Sequence, residues 1–375
     1  MISSTLSFEW RSRNRAQLFE TGVSLHGHTY HSRELLGFIP RISKPIPGLR
    51  TAVQYQADRY KRLNGQDLNF NRGFWTPPLS PRQAFKVESK QLMDRELRPL
   101  VSLTDHNEIE ASSSLRAQDG VSPISVEWTV PLTGSFIHLG IHNLPPNRAQ
   151  TLHEAMQHYR TSLDLEFLDD VLIGLDSIPE VLIVFNHPMW DEPKAGAAVH
   201  QKMIVDFLDR YQRRIHAFEL NGLRPWNENR LVPALAEQYA KPLISGGDRH
   251  ASEPNSCINL TDKCSFSEFV DEVRSGHSEI LFLNHYRTPL GARLMQNMLD
   301  VMGDQPDHER GWIRWSDRVF FDCPVHGVRS MSSYWTKGNP PHLVKAFVGM
   351  TRLLGHQRLR PAVSLAFGSP QECGG

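Results

Sequence analysis

The stretch Val23-Ser24-Leu25-His26-Gly27-His28-Thr29 decides how this chain is read. A short apolar run ends in two histidines one residue apart. Successive side chains of a β-strand point to opposite faces, so His26 and His28 leave such a run on the same side. Two imidazoles together at the end of a strand are a ready pair of metal ligands. By itself His-x-His also describes two surface histidines, and the pair gains its meaning only from the rest of the chain.

The same kind of ending recurs. Leu100-Val101-Ser102-Leu103 runs into Thr104-Asp105-His106-Asn107, Ile124-Ser125-Val126 into Glu127, and the run from Phe136 to Ile141 into His142. Val181-Leu182-Ile183-Val184-Phe185 runs into Asn186-His187-Pro188, and Ala217-Phe218 into Glu219-Leu220-Asn221. Leu243-Ile244-Ser245 leads through Gly246-Gly247 into Asp248-Arg249-His250. Seven apolar runs thus carry ligand-type side chains at or near their C-terminal ends, which is where α/β barrels place their functional residues. Helical apolar spacing separates several of these runs, as in Pro81 to Leu97, Ala149 to Asp176 and Ala197 to Arg213. The expected class is α/β.

Taken in order, Leu-His-Gly-His-Thr, Leu-Thr-Asp-His-Asn, Val-Glu, Gly-Ile-His, Phe-Asn-His-Pro, Glu-Leu-Asn and Gly-Gly-Asp-Arg-His resemble the motifs of the PHP (polymerase and histidinol phosphatase) superfamily. The resemblance runs from about Gly22 to Gly276. It implies a distorted (β/α)7 TIM-like barrel over residues 22–288, preceded by an N-terminal segment 1–21 and followed by a C-terminal extension 289–375. It also implies up to three divalent ions, with manganese, zinc or iron suited to an oxygen and nitrogen ligand set lacking cysteine. The resemblance places the first ion on His26, His28, Glu127 and Asp248, and the second on Glu127, His142 and His187. The third falls to His106, His250 and Glu34, with His31 as the alternative to Glu34. Glu127, Asp248 and His250 are the expected catalytic groups. Asp105 reads as an orienting neighbour and His138 as a core histidine.

Three residues are candidates for substrate contact. Arg33 stands where the family often has a further ligand, and a guanidinium matches phosphate oxygens bidentately. Asn221 ends the sixth run as a hydrogen-bonder. Arg249 lies between two ligands, although alternation turns it away from them.

The bulk properties bound the rest. The chain has 375 residues with 41 basic and 41 acidic side chains, enough for one large barrel and an appendage. Balanced charge disfavours a dominant nucleic-acid footprint without excluding a local patch. No apolar run approaches transmembrane length. The four cysteines, Cys257, Cys264, Cys323 and Cys373, show no zinc-type pairing and fit a reducing, cytoplasmic setting.

Two regions fall outside the motifs. The insertion at about 36–78 reads as a lid or substrate wall, or as a surface excursion packing its own aromatics. The extension offers an apolar-rich helix from His342 to Leu354 and an excess of basic residues from Pro324 onward, suiting a helix packed on the barrel or a homo-oligomer contact. The functional expectation is a metal-dependent hydrolase of a small phosphomonoester. A nuclease or nucleotide phosphoesterase, and a catalytically silent barrel used for binding, are the alternatives. The amidohydrolases also open with His-x-His, but the closing Asp-x-His pair fits the PHP pattern better.

Overall fold

A computed structural model describes residues 2–354 apart from 45–46, 325 and 336–338. Cys373 and the part of the basic stretch that follows residue 354 lie outside the described residues. The strands, in chain order, are β1 (Ser3–Phe8), β2 (Thr21–Ser24), β3 (Glu34–Leu35), β4 (Gly73–Trp75), β5 (Arg98–Val101), β6 (Ile124–Leu132) and β7 (Ser135–Leu144). They continue with β8 (Leu182–Phe185), β9 (Ala217–Asn221), β10 (Leu243–Gly246), β11 (Cys257–Thr261), β12 (His277–Phe282), β13 (Val319–Cys323) and β14 (Gly327–Ser330).

The protein is a mixed α/β fold built on three sheets, ordered β1-β12-β11-β2-β5, β10-β9-β8-β7-β6 and β14-β13-β4-β3. The first two do not join into one closed ladder. They meet through two isolated parallel bridges, Gly27 with Arg249 and His106 with Glu127. Both bridges lie among the residues that the sequence marks as ligands.

The helices between the strands follow from local sequence. Ser80 caps the helix Pro81–Met93 through a capping box with Gln83, and proline occupies its first turn. It buries Ala84 and Leu92. The helix Phe266–Arg274 starts from the Ser265–Glu268 capping box and buries Phe266, Phe269, Val270 and Val273, an i, i+3, i+4, i+7 stripe. These residues share one buried cluster with Val23, Leu25, Val184 and Ile244, which come from both large sheets.

The seven runs do not all point their C-terminal ends the same way, contrary to expectation. β7 is antiparallel to both β6 and β8, whereas β2–β5 and β8–β9–β10 are parallel. The cause is the two-residue turn Thr133-Gly134, with Gly134 at φ 78°. A turn this short returns the chain alongside itself, and parallel strands need a longer crossover. The end of β7 that meets the mouth of β6 is therefore its N-terminal half. His138 faces Thr129 in register, while His142 lies four residues further from the turn.

The insertion and the extension also differ from separate appendages. β4 pairs with β13 from the C-terminal part on one side and with β3 on the other, with Phe74 opposite Phe320 and Glu34 opposite Trp75. Phe74 stacks on Phe320 at 5.2 Å between centroids, and Arg72 meets Asp322 at 2.9 Å. Among the described residues no helix is long and apolar enough to cross a membrane.

Candidate metal centre

β2 ends at Ser24, two residues before His26, so strand alternation alone does not bring the two histidines together. His26 adopts φ 62°, and the chain turns there before Gly27 bridges to Arg249. His187 and Asp248 also have positive φ, at 30° and 55°. Such backbone costs about 1–3 kcal/mol per residue and persists where surrounding structure holds it, commonly at functional sites. Gly246 has no side chain at a point where a Cβ would run into the Glu219 carboxylate.

Three groups of ligand atoms result, two buried and one partly exposed. In the first, His26 Nε2 lies 3.0 Å and His28 Nε2 3.4 Å from Glu127 Oε2. The same two nitrogens lie 3.7 and 3.5 Å from Asp248 Oδ1. Ligand atoms around a four-coordinate ion with bonds of ~2.0–2.1 Å sit about 3.3–3.4 Å apart, so these spacings are those of a coordination shell. His26 Nε2, His28 Nε2 and Glu127 Oε2 are all buried without a hydrogen-bond partner. An unpaired buried polar atom is costly, and three converging ones call for a cation.

The second group surrounds the other oxygen of the same carboxylate. Glu127 Oε1 is 3.2 Å from His187 Nε2 and 3.4 Å from His138 Nδ1, and those nitrogens are 3.4 Å apart. In the third, Glu34 Oε2 is 3.4 Å from His106 Nε2 and 3.3 Å from His250 Nε2. His28, Glu34, His106 and His250 form one potential ion site, and His106, Glu127 and His138 another.

Neighbouring groups fix the rings. His26 Nδ1 lies 2.6 Å from Glu219 Oε1, so Nδ1–H is donated there and the Nε2 lone pair faces the cluster. Glu219 Oε2 also accepts from the His187 backbone at 2.8 Å and from Asn221 Nδ2 at 3.1 Å. Ser32 Oγ donates to Glu34 Oε1 at 2.6 Å, which leaves it to accept from His28 Nδ1 at 3.3 Å and from the His106 amide at 3.1 Å. His250 Nδ1 donates to the Asp248 carbonyl at 2.8 Å, freeing Nε2 toward Glu34.

The electrostatics match a cation cradle. Burial, with His250 and His106 nearby, pushes His28 down to about 3, so it is a neutral donor. Burial opposes charge on His106, yet Glu34 and Glu127 hold it up at about 10. Burial likewise works against His26, but Glu127, Glu219 and Asp248 hold it well above its usual value. Burial would raise the Glu127 carboxyl, and His26, His106 and His138 outweigh it and hold it well below the usual range. In metal-free protein, protons on these rings are the counter-charge, and an entering cation displaces them.

The structure brings together His26, His28, Glu34, His106, Glu127, His187, Asp248 and His250. Other expectations need correction. His142 is outside the three groups: its Nδ1 is 2.8 Å from Ser102 Oγ, one layer deeper, because β7 is reversed, and His138 stands in the place expected for it. Arg33 is exposed over the Phe74 ring, 5.3 Å from its centroid, since Glu34 is the residue that turns inward. Arg249 is buried, with Nε 2.9 Å from Glu88 Oε1 and a bond to the His28 carbonyl, so it braces the loop and does not reach substrate. Asn221 is spent on Glu219 and, at 3.4 Å, on Asp248. Asp105 holds the Thr29 amide and hydroxyl rather than an imidazole. The alternative ligand His31 turns to Glu110 at 3.3 Å.

Sequence reasoning passed over the Glu219 contact to His26 and the bridging role of Ser32. Glu219 was visible only as part of a strand ending, and Ser32 carried no signal.

No family model matches the sequence, and no curated protein matches it. Among solved structures, the chain is similar to an amidohydrolase from Chromobacterium violaceum with bound sulfate and no metal, at 14% identity and TM-score 0.32, covering 47% of this chain and 84% of that one. It is also similar to a protein from Bifidobacterium adolescentis named for metal-dependent phosphoesterase activity, at 11% identity and TM-score 0.32, covering 54% and 92%. At those scores neither neighbour carries its chemistry over, and the function has to be read from the side chains.

Proposed function

We propose that the protein is a metal-dependent phosphoesterase of the PHP type, acting on a small phosphomonoester. In this reading the first two sheets are the halves of a distorted seven-strand barrel, β2-β5-β6-β7-β8-β9-β10, joined at the two bridges. The observation that carries it is the convergence of His26 Nε2, His28 Nε2 and Glu127 Oε2, buried and without a hydrogen-bond partner, at the spacings of a metal shell.

His26, His28, Glu127 and Asp248 would hold one ion. Glu127, His138 and His187 would hold a second, and Glu34, His106 and His250 a third. Manganese, zinc or iron ions there supply hydroxide at neutral pH and Lewis acidity toward phosphoryl oxygens. The chain's own part is to fix the shell and keep it dry. Glu127, with His26 and His28 beside Oε2 and His138 and His187 beside Oε1, would serve two ions at once. Glu219 and Ser32 hold the tautomers that present Nε2 inward. The Nδ1–H of His250 is committed to the Asp248 carbonyl, which makes His250 a ligand before it is a proton donor.

The test is hydrolysis of a panel of small phosphate esters by manganese-loaded protein, with and without a chelator. Release of phosphate that chelation abolishes is expected. Release that a chelator leaves intact would sink the mechanism.

A further inference from the structure

As assigned above, the second ion would have three ligands where the first has four. Glu127 Oε1, His138 Nδ1 and His187 Nε2 face one another at 3.2–3.4 Å. In the first group Asp248 joins His26, His28 and Glu127. A tetrahedral ion held by protein alone takes four ligands. The loop after β8 brings one more candidate to the second group. Glu192 Oε2 lies 3.9 Å from His138 Nδ1, is buried, and has no hydrogen-bond partner. The side chain as a whole is 38% exposed, so the carboxylate comes to the group from the open side with this one oxygen turned in.

The loop is folded to put it there. The Trp190 amide donates to the His187 carbonyl at 2.9 Å and the Glu192 amide to the Trp190 carbonyl at 3.1 Å, which curls the chain back beside His187. Asp191 accepts from the amides of Ala195 and Gly196 at 2.9 and 2.8 Å, so its carboxylate is used within the loop. His200, on the helix Ala197–Tyr211, donates from Nε2 to the Pro188 carbonyl at 3.0 Å and ties the loop down. Two adjacent acids thus part ways: Asp191 builds the loop, and Glu192 is turned to the centre. Burial pushes the Glu192 carboxyl up, while His106 and His187 pull it down and Glu127 and Glu34 push it up, so the charges it feels are those of the ligand groups. The cavity beside it, about 10 Å³ among His138, His187, Trp190 and His200, has room for one water and for no part of a substrate. A buried carboxylate oxygen without a donor is costly, and the nearest unmet demand for it is an ion on His138 and His187. Its spacing from His138 is somewhat wider than in a closed shell, a gap that rotation of a loop side chain closes.

Resting on the metal centre of the phosphoesterase reading, we propose that Glu192 is the fourth ligand of the second ion, through Oε2. The second set then has two carboxylates and two imidazoles, as the first has.

The test titrates metal-stripped full-length protein with zinc and with cobalt, comparing the unaltered chain, Glu192→Gln and Glu192→His. Glu192→Gln should weaken one ion by roughly a hundredfold or more, beyond the ~10–100-fold that an orienting neighbour of a ligand is worth, and leave the ion on His26, His28 and Asp248 in place. The visible absorption of that cobalt step should fall, because an ion that gains waters in place of a ligand is no longer tetrahedral. Glu192→His supplies a ligand without a charge and should restore much of the affinity and of the absorption. Full uptake and an unchanged cobalt spectrum in Glu192→Gln would overturn the proposal and leave Glu192 bonded to a water in the small cavity. A weakening shared equally by Gln and His, with the spectrum unchanged, would also overturn it, since the effect would then be one of charge at a distance. No metal uptake by the unaltered protein would remove the metal centre and this ligand together. Metal binding that depends on Glu192 in a protein that hydrolyses no phosphate ester would remove the reaction and keep the ligand.

Discussion

Glu127 and Glu34 are both carboxylates among histidines, yet they are held in opposite ways. Glu127 sits on β6 between the two large sheets, and the side chains of His26, His28, Glu127 and Asp248 are at most 5% exposed. Glu34 sits on β3, a two-residue strand whose sheet is assembled from the insertion and residues some 290 positions later, and Glu34, His106 and His250 are 12–17% exposed. The inner groups come with the fold. The outer group depends on a sheet that covers the mouth. Trp75, opposite Glu34 in that sheet, lies 6.1 Å from the His250 ring.

The largest effect should come from the inner carboxylate. Glu127→Gln keeps the shape and removes the charge shared by two groups. It should cost two ions per chain and on the order of 10³-fold in kcat/KM, at the upper end of what one electrostatic contact in an active site is worth. Elemental analysis of the variant decides it. Loss of the outer ion alone would invert the comparison.

Next comes the pair of histidines on β7. His138→Ala should cost more than the 10–100-fold that an orienting neighbour of a metal ligand is worth, with one ion lost. His142→Gln should keep its metal. Metal content of the two variants distinguishes them, and the opposite outcome would mean that the register of β7 is displaced.

These two residues show where the sequence was legible and where it was not. The endings at His26-Gly27-His28, Asp105-His106, His187 and Asp248-Arg249-His250 were readable because a parallel strand brings its C-terminal end to the mouth. His138 was misplaced because the Thr133-Gly134 turn, which reverses the strand, lies outside the motif. The pairing of β4 with β13 is invisible to local patterning, since nothing near Phe74 points to Phe320. Arg33 and Asn221 were chemically apt, but whether a polar side chain is already occupied is a property of its neighbours in space.

Acid should separate the two regions further. His28 is held down at about 3 and gives its nitrogen freely, whereas His106 at about 10 and His250, also raised, must each lose a proton. For His250 burial pulls the other way, but Glu34 outweighs it. A raised value means the proton is bound below it, so falling pH favours the metal-free form. The outer ion, which displaces a proton from His106 and, once pH falls below its raised value, a second from His250, should weaken more steeply with acid than the inner one, which displaces the proton of His26. Metal titrations at pH 6, 7 and 8 measure the slopes, and equal slopes would contradict the assignment of these rings.

The sheet over the mouth gives a smaller effect. Phe320→Ala removes an aromatic pair worth ~0.5–1.5 kcal/mol beyond its buried area. The outer ion should weaken a few- to tenfold while the inner two stay put. Smallest of all is Arg33→Ala: resting on Phe74 in the open, it should change KM by no more than about twofold.

The most direct measurement is metal content. Purified protein, stripped with a chelator and reloaded with manganese or zinc, should take up two to three ions per chain by elemental analysis, with anomalous scattering locating two of them on either side of Glu127. A protein that carries no transition metal and takes up none on reloading would contradict the metal centre altogether.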